Sequence, residues 1–85
     1  MMKKNKMKLI KMLDNENLIN HYFFVEYLDI MYLREYNTDT KEIIWSITLN
    51  QPNIIKIKSF DIDEKLMESL FNKMYRAYKL ERLIK

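Results

Sequence analysis

MYLREYNTDTKEIIWSITL, residues 31–49, decides the fold. From Ile43 onward the residues alternate. Ile43, Trp45, Ile47 and Leu49 take one face, and Ile44, Ser46 and Thr48 the other, the period-two pattern of a β-strand. The stretch is rich in β-branched side chains, which suit a pleated surface. Asn37-Thr38-Asp39-Thr40 interrupts the apolar pattern with turn-forming residues. A four-residue loop there sets Tyr36 opposite Lys41, Tyr32 opposite Trp45, Ile30 opposite Ile47 and Leu28 opposite Leu49. That register gathers the large apolar side chains on one face.

Working outward, Asn50-Gln51-Pro52-Asn53 is a second turn signal, and Ile54–Phe60 supplies a third strand. Ile55 and Ile57 join the core face, with Lys56 and Lys58 outward, only if the loop around Pro52 has an odd number of residues. A C-terminal amphipathic helix follows over 62–84. Asp61 is placed to cap it, and Glu64 to complete a capping box. One arc of this helix holds Leu66, Met67, Leu70, Phe71, Met74, Tyr75, Ala77 and Tyr78; the opposite arc holds Lys65, Glu68, Asn72, Lys73, Arg76 and Lys79.

Upstream the pattern is less regular. Residues 3–13 read as a short basic helix or as an edge strand, with the helix favoured and continuing to about Asn20. A single strand from Tyr22 to Tyr36 exceeds the usual length of about 3–10 residues. That stretch either bends, or Asn15–Leu28 is helical, which leaves Tyr22–Tyr27 open between strand and helix. The expected fold class is α+β: a two-layer αβββα domain of helix, three-stranded antiparallel meander and helix. It is one domain, with a basic N-terminal helix or arm over 1–20, the sheet over 22–60 and the last helix over 61–85.

A chain of 85 residues buries a limited core, and 48% apolar and 13% aromatic composition supplies one. There is no cysteine, so disulfides and zinc–thiolate sites are excluded and a reducing compartment is expected. There is no glycine either, which rules out P-loops, dinucleotide-binding loops and EF-hand turns. The N-terminal lysines precede no apolar run long enough for a signal peptide, and no stretch approaches the roughly 20 apolar residues of a membrane helix. The expectation is a cytoplasmic protein without membrane contact.

Charge is segregated. Residues 1–13 hold five lysines and no acid, residues 14–42 seven acids against Arg34 and Lys41, and residues 73–85 five bases against Glu81. A basic–acidic–basic chain can present one side to a polyanion or recognise a partner of mixed charge.

The chemistry-bearing residues are sparse. Asp61, Asp63 and Glu64 read as helix-capping carboxylates rather than a magnesium site. His21, beside Asn20, has no serine or cysteine nucleophile near it in sequence. No catalytic residue, metal ligand or cofactor is assigned. Two contact surfaces are. The sheet face opposite the core carries Met31, Leu33 and Ile44, an exposed apolar patch if nothing covers it; Glu26, Asp29 and Glu35 bring acid to the same region. Lys73, Arg76, Lys79 and Arg82 recur every three residues on the last helix and could track phosphates, with Tyr75 and Tyr78 interleaved.

The order helix–three strands–helix resembles the double-stranded-RNA-binding domain, and the likeness is topological. That family has a glycine-bearing loop and a lysine-rich start to its last helix. Here glycine is missing and the helix opens on Asp61, Asp63 and Glu64, so no site residue is carried over. Size, bias and charge segregation also resemble those of small phage anti-defence proteins, anti-CRISPR inhibitors among them. The expected function is therefore a non-catalytic module that binds a host protein or protein–nucleic-acid complex, with homodimerisation open. The alternative is a nucleic-acid-binding regulator that uses the basic termini.

Overall fold

The computed structural model of the chain describes residues 6–49, 55–57 and 62–84. Five strands precede one helix: β1 (Lys8–Leu13), β2 (Asn20–Tyr27), β3 (Ile30–Asn37), β4 (Ile43–Leu49), β5 (Ile55–Ile57) and α1 (Glu64–Ile84). The strands form one antiparallel sheet in chain order. The α+β class holds, but the αβββα order does not. The expected N-terminal helix is replaced by strand β1, and Tyr22–Tyr27 is β strand throughout. No helix among the described residues is long and apolar enough to cross a membrane.

The apparent over-long strand is two strands. Leu28 and Asp29 form a two-residue turn with φ of 53° and 63°, and Tyr27 pairs with Ile30 across it. Positive φ at both positions is the signature of a type I′ turn, whose twist matches that of the flanking strands. Its usual sequence is Asn-Gly, and neither residue is present.

The β3–β4 hairpin forms with its partners displaced from the expected ones. Arg34 lies opposite Trp45, Tyr32 opposite Ile47 and Tyr36 opposite Ile43, a slip of two residues from the expected register. The cause is Asn37. Its Oδ1 accepts the N–H groups of Asp39 and Thr40, each at 2.9 Å, while its own N–H donates to Glu42 O at 3.0 Å. Asn37 is thus the last paired residue and the cap of the turn, and Lys41 closes the loop with φ 64°. A two-residue slip preserves the faces, so the inward set survives the error. The Pro52 loop has an odd count: Ile57 pairs with Ile47 and Ile55 with Leu49. Both isoleucines therefore occupy core-face register positions.

Helix α1 lies across one face of the sheet. The core joins Met7, Phe23, Val25 and Trp45 to Met67 and Phe71 of the helix. Each such burial contributes roughly 1.5–3 kcal/mol. Phe71 meets Phe23 and Trp45 edge-on, with centroids 5.0 and 6.2 Å away. The helix begins two residues later than expected. Asp63 is the N-cap, its Oδ1 accepting the Leu66 N–H at 3.1 Å, while Asp61 lies outside the described residues. Leu66 and Ala77, expected in the buried arc, are exposed. Glu68, expected in solvent, points at the sheet.

Glu68 turns inward because the sheet offers it donors. Arg34 projects from the core face between Phe23 and Trp45 in register. Its Nε donates to Glu68 Oε2 at 2.6 Å and its Nη2 to Oε1 at 3.1 Å. Trp45 Nε1 donates to Oε2 at 3.1 Å. The guanidinium also stacks 4.2 Å from the Phe71 ring centroid. One carboxylate thereby satisfies two buried donor side chains, the condition for polar groups to sit in a core.

Candidate functional site

Strand parity determines where the expected contact residues go. Glu26, Met31, Leu33, Glu35 and Ile44 all project from the outer face, opposite α1, and Asp29 sits in the β2–β3 turn. The structure brings the set together but corrects one member. Leu33 is 3% exposed, flanked in register by Phe24 and Ser46, so it is not a contact residue. Met31 is half-buried and Ile44 is exposed.

The apolar surface lies instead toward one end of that face. A cross-strand row runs Leu13–Tyr22–Glu35–Ile44, with Leu13 46% and Ile44 36% exposed. Neighbours across a sheet approach within about 4.5–5.5 Å between Cβ atoms. The loop that joins Leu13 to β2 adds Leu18 and Ile19, both more than 40% exposed, while Ile10, 50% exposed, lies farther along the edge strand at its bulge. Ile19 is held at this end because its carbonyl accepts the Thr38 N–H at 2.9 Å. Sequence reasoning missed Ile10, Leu13, Leu18 and Ile19. A bulge between Leu9 and Lys11 shifts the register, so Leu9 and Met12 share the inner face three residues apart. That spacing imitates a helix.

The basic stripe is present but altered in meaning. Lys73, Arg76, Lys79 and Arg82 are all exposed. Lys79 Nζ lies 4.7 Å over the Tyr75 ring. Arg82 lies over Tyr78 and donates Nη1–H to its hydroxyl at 3.2 Å. Tyr75 and Tyr78 stack on each other at 6.1 Å, and Tyr75 on Phe71 at 5.4 Å. The tyrosine rings thus contact the protein's own cations and aromatics rather than standing free for bases. Lys73 and Arg76 have no ion-pair partner among the described residues.

A third feature was not visible in the sequence. A cleft of about 270 Å³ opens between the inner sheet face and α1, lined by Asp14, His21, Phe23, Arg34, Tyr36, Phe71, Asn72 and Tyr75. His21 is buried, with Nδ1 2.6 Å from Asp14 Oδ1. The two atoms approach without the alignment of a hydrogen bond, so Nδ1 is a buried nitrogen with no hydrogen-bond partner among the described residues. Tyr75 donates its hydroxyl to Asp14 Oδ2 at 2.9 Å. Burial first, then the bond to Asp14 and the charge of that carboxylate, push the Tyr75 hydroxyl up to about 12. Residues 14, 21 and 75 are thus clasped across loop, strand and helix. No serine or cysteine lines the cleft, and among the described residues no three His, Asp or Glu side chains gather as a metal site.

Comparison with protein-family models, with curated proteins and with solved structures finds no match to this chain.

Proposed function

We propose that the chain is a non-catalytic protein-binding module, a small phage- or mobile-element-type accessory protein that modulates a host defence protein, such as a CRISPR effector, by occupying its surface. The observation that supports binding is the set of exposed aliphatic side chains toward the end of the sheet where β1 finishes: Leu13, Leu18, Ile19 and, across the row, Ile44, each 36–53% exposed. Aliphatic side chains concentrated in one region at this exposure mark an interaction surface. Glu35 lies within the row and Glu26 on the same face, an acidic complement that steers a basic partner site. The edge strand itself is a poor template for strand addition, because β1 carries a bulge and the exposed lysines Lys8 and Lys11.

The test is capture of the tagged protein from host lysate, with and without nuclease, read by mass spectrometry. A stoichiometric protein that survives nuclease and is lost with Leu13→Asp or Ile44→Asp supports the reading. The second reading, nucleic-acid binding, is favoured by Lys73 and Arg76, exposed and without an ion-pair partner among the described residues. It requires that Arg76→Glu abolish capture. Affinity must also fall by about 0.9 log units per log unit of salt for each phosphate contacted.

A further inference from the structure

The donor capacity left over in the cleft points to a ligand. Arg34 commits Nε and Nη2 to Glu68, which leaves Nη1 without a partner among the described residues. The Tyr36 hydroxyl, on the same wall, is also unpaired among them. Asp14 Oδ2 already accepts from Tyr75, and Oδ1 sits against His21 Nδ1 without an aligned hydrogen bond. A cation would meet the Arg34 guanidinium, a like charge that already lies 4.2 Å from the Phe71 ring and 5.6 Å from both Phe23 and Tyr36. A phosphate dianion would face Asp14 across a cleft whose one permanent cation is already shared with Glu68. What fits is a group that brings acceptors, carries at most one charge and has a flat apolar body for the aromatic walls. Side chains buried beyond nine-tenths form the floor, with Arg34 and His21 each 8% exposed. The volume lies just below the usual small-molecule range of about 300–1,000 Å³, which limits the ligand to fragment size.

We infer that the cleft between β2, β3 and α1 binds a small monocarboxylate on a planar apolar stem, its oxygens received by Arg34 Nη1 and the Tyr36 hydroxyl. This site is separate from the apolar cluster on the outer face and does not depend on it. The carboxylate belongs either to a free aromatic acid or to the end of a peptide that finishes in an aromatic residue.

Benzoate is the probe for the free acid, and benzyl alcohol its neutral counterpart. Binding is followed by NMR at the His21 ring and the Arg34 Nε–H. Saturable shifts at both are expected, with benzyl alcohol clearly weaker. Tyr36→Phe keeps the ring and removes one hydrogen bond, so it weakens benzoate about five- to tenfold. Arg34 variants are avoided here because they disturb the Glu68 network. Arg76→Gln, on the exposed stripe, leaves affinity unchanged. A pentapeptide ending in a free phenylalanine carboxylate separates the sources: tighter binding than benzoate assigns the site to chain ends, weaker binding to free acids. Equal affinity for benzyl alcohol, absence of saturation up to the solubility limit, unaltered affinity in Tyr36→Phe, or loss on Arg76→Gln would overturn the inference.

Discussion

Glu68→Leu removes the one acceptor that serves both Arg34 and Trp45. The side chains of Arg34 and Glu68 are 10% and 24% exposed, so the guanidinium that remains is largely cut off from water. Breaking a buried pair by deleting one partner costs about 3–5 kcal/mol. The partly open edge at Glu68 admits some solvent and places the cost near the bottom of that range, about 3 kcal/mol. A chain of 85 residues has a total stability of roughly 4–13 kcal/mol at about 0.05–0.15 kcal/mol per residue. The variant is therefore expected to lose a large share of it, a fall of roughly 12–24 °C in Tm. The single tryptophan, Trp45, donates to the deleted carboxylate and reports unfolding directly, so urea titration followed by its fluorescence is the assay. The double variant Arg34→Met/Glu68→Leu removes the stranded charge as well, and is expected to recover at least half of the loss. A single variant within about 0.5 kcal/mol of the wild type, the range of an ordinary surface substitution, would refute the reasoning. So would a double variant whose loss is the sum of the two singles.

Two further outcomes follow from local geometry, beside the capture and ligand experiments above. Leu28, exposed and at φ 53°, holds a left-handed conformation that costs a side chain with a Cβ about 1–2 kcal/mol; Leu28→Gly should raise stability by about 1 kcal/mol in the same urea assay, and unchanged or lower stability would count against a strained turn. The Tyr75 hydroxyl is raised from 10.0 to about 12 in the folded chain, so it contributes stability that is complete below pH 10 and is lost as pH rises through about 12. At this partly exposed site, solvent screening reduces that contribution to about 1 kcal/mol. Tyr75→Phe should therefore flatten the stability–pH curve between pH 10 and 12, and an equally steep fall in the variant would remove Tyr75 as its source.

Much of the architecture was legible because it depends on local patterns. The alternation over Ile43–Leu49 specified a strand and its faces whatever lay beside it, whereas the register of Ile55 and Ile57 hung on a loop count around Pro52 that the sequence left open. The helix periodicity over 62–84 named Met67 and Phe71 among the buried residues. The first failures came where a local device broke the period. The bulge after Leu9 gave a strand the three-residue spacing of a helix, and the turn at Leu28–Asp29 carried no Asn-Gly to announce it. Acting as a cap rather than as the first loop residue, Asn37 displaced the hairpin register by two.

The candidate sites were less legible, because they depend on contacts between segments far apart in the chain. Met31, Leu33 and Ile44 were assigned to the correct face by parity, yet exposure is set by neighbours, and Leu33 is buried while Leu13, distant in sequence, joins Ile44 in the same row. The cleft requires loop residue Asp14, strand residues His21 and Arg34 and helix residue Tyr75 to converge, and no spacing in the sequence encodes that meeting. Glu68 shows the division most plainly. By helical phase alone it belongs to solvent, and only the presence of Arg34 and Trp45 on the opposing sheet makes it favourable to turn a carboxylate inward. Period and turn chemistry, which act over a few residues, settle elements and faces; burial, pairing and concavity are properties of what packs against what, and only the tertiary structure decides them.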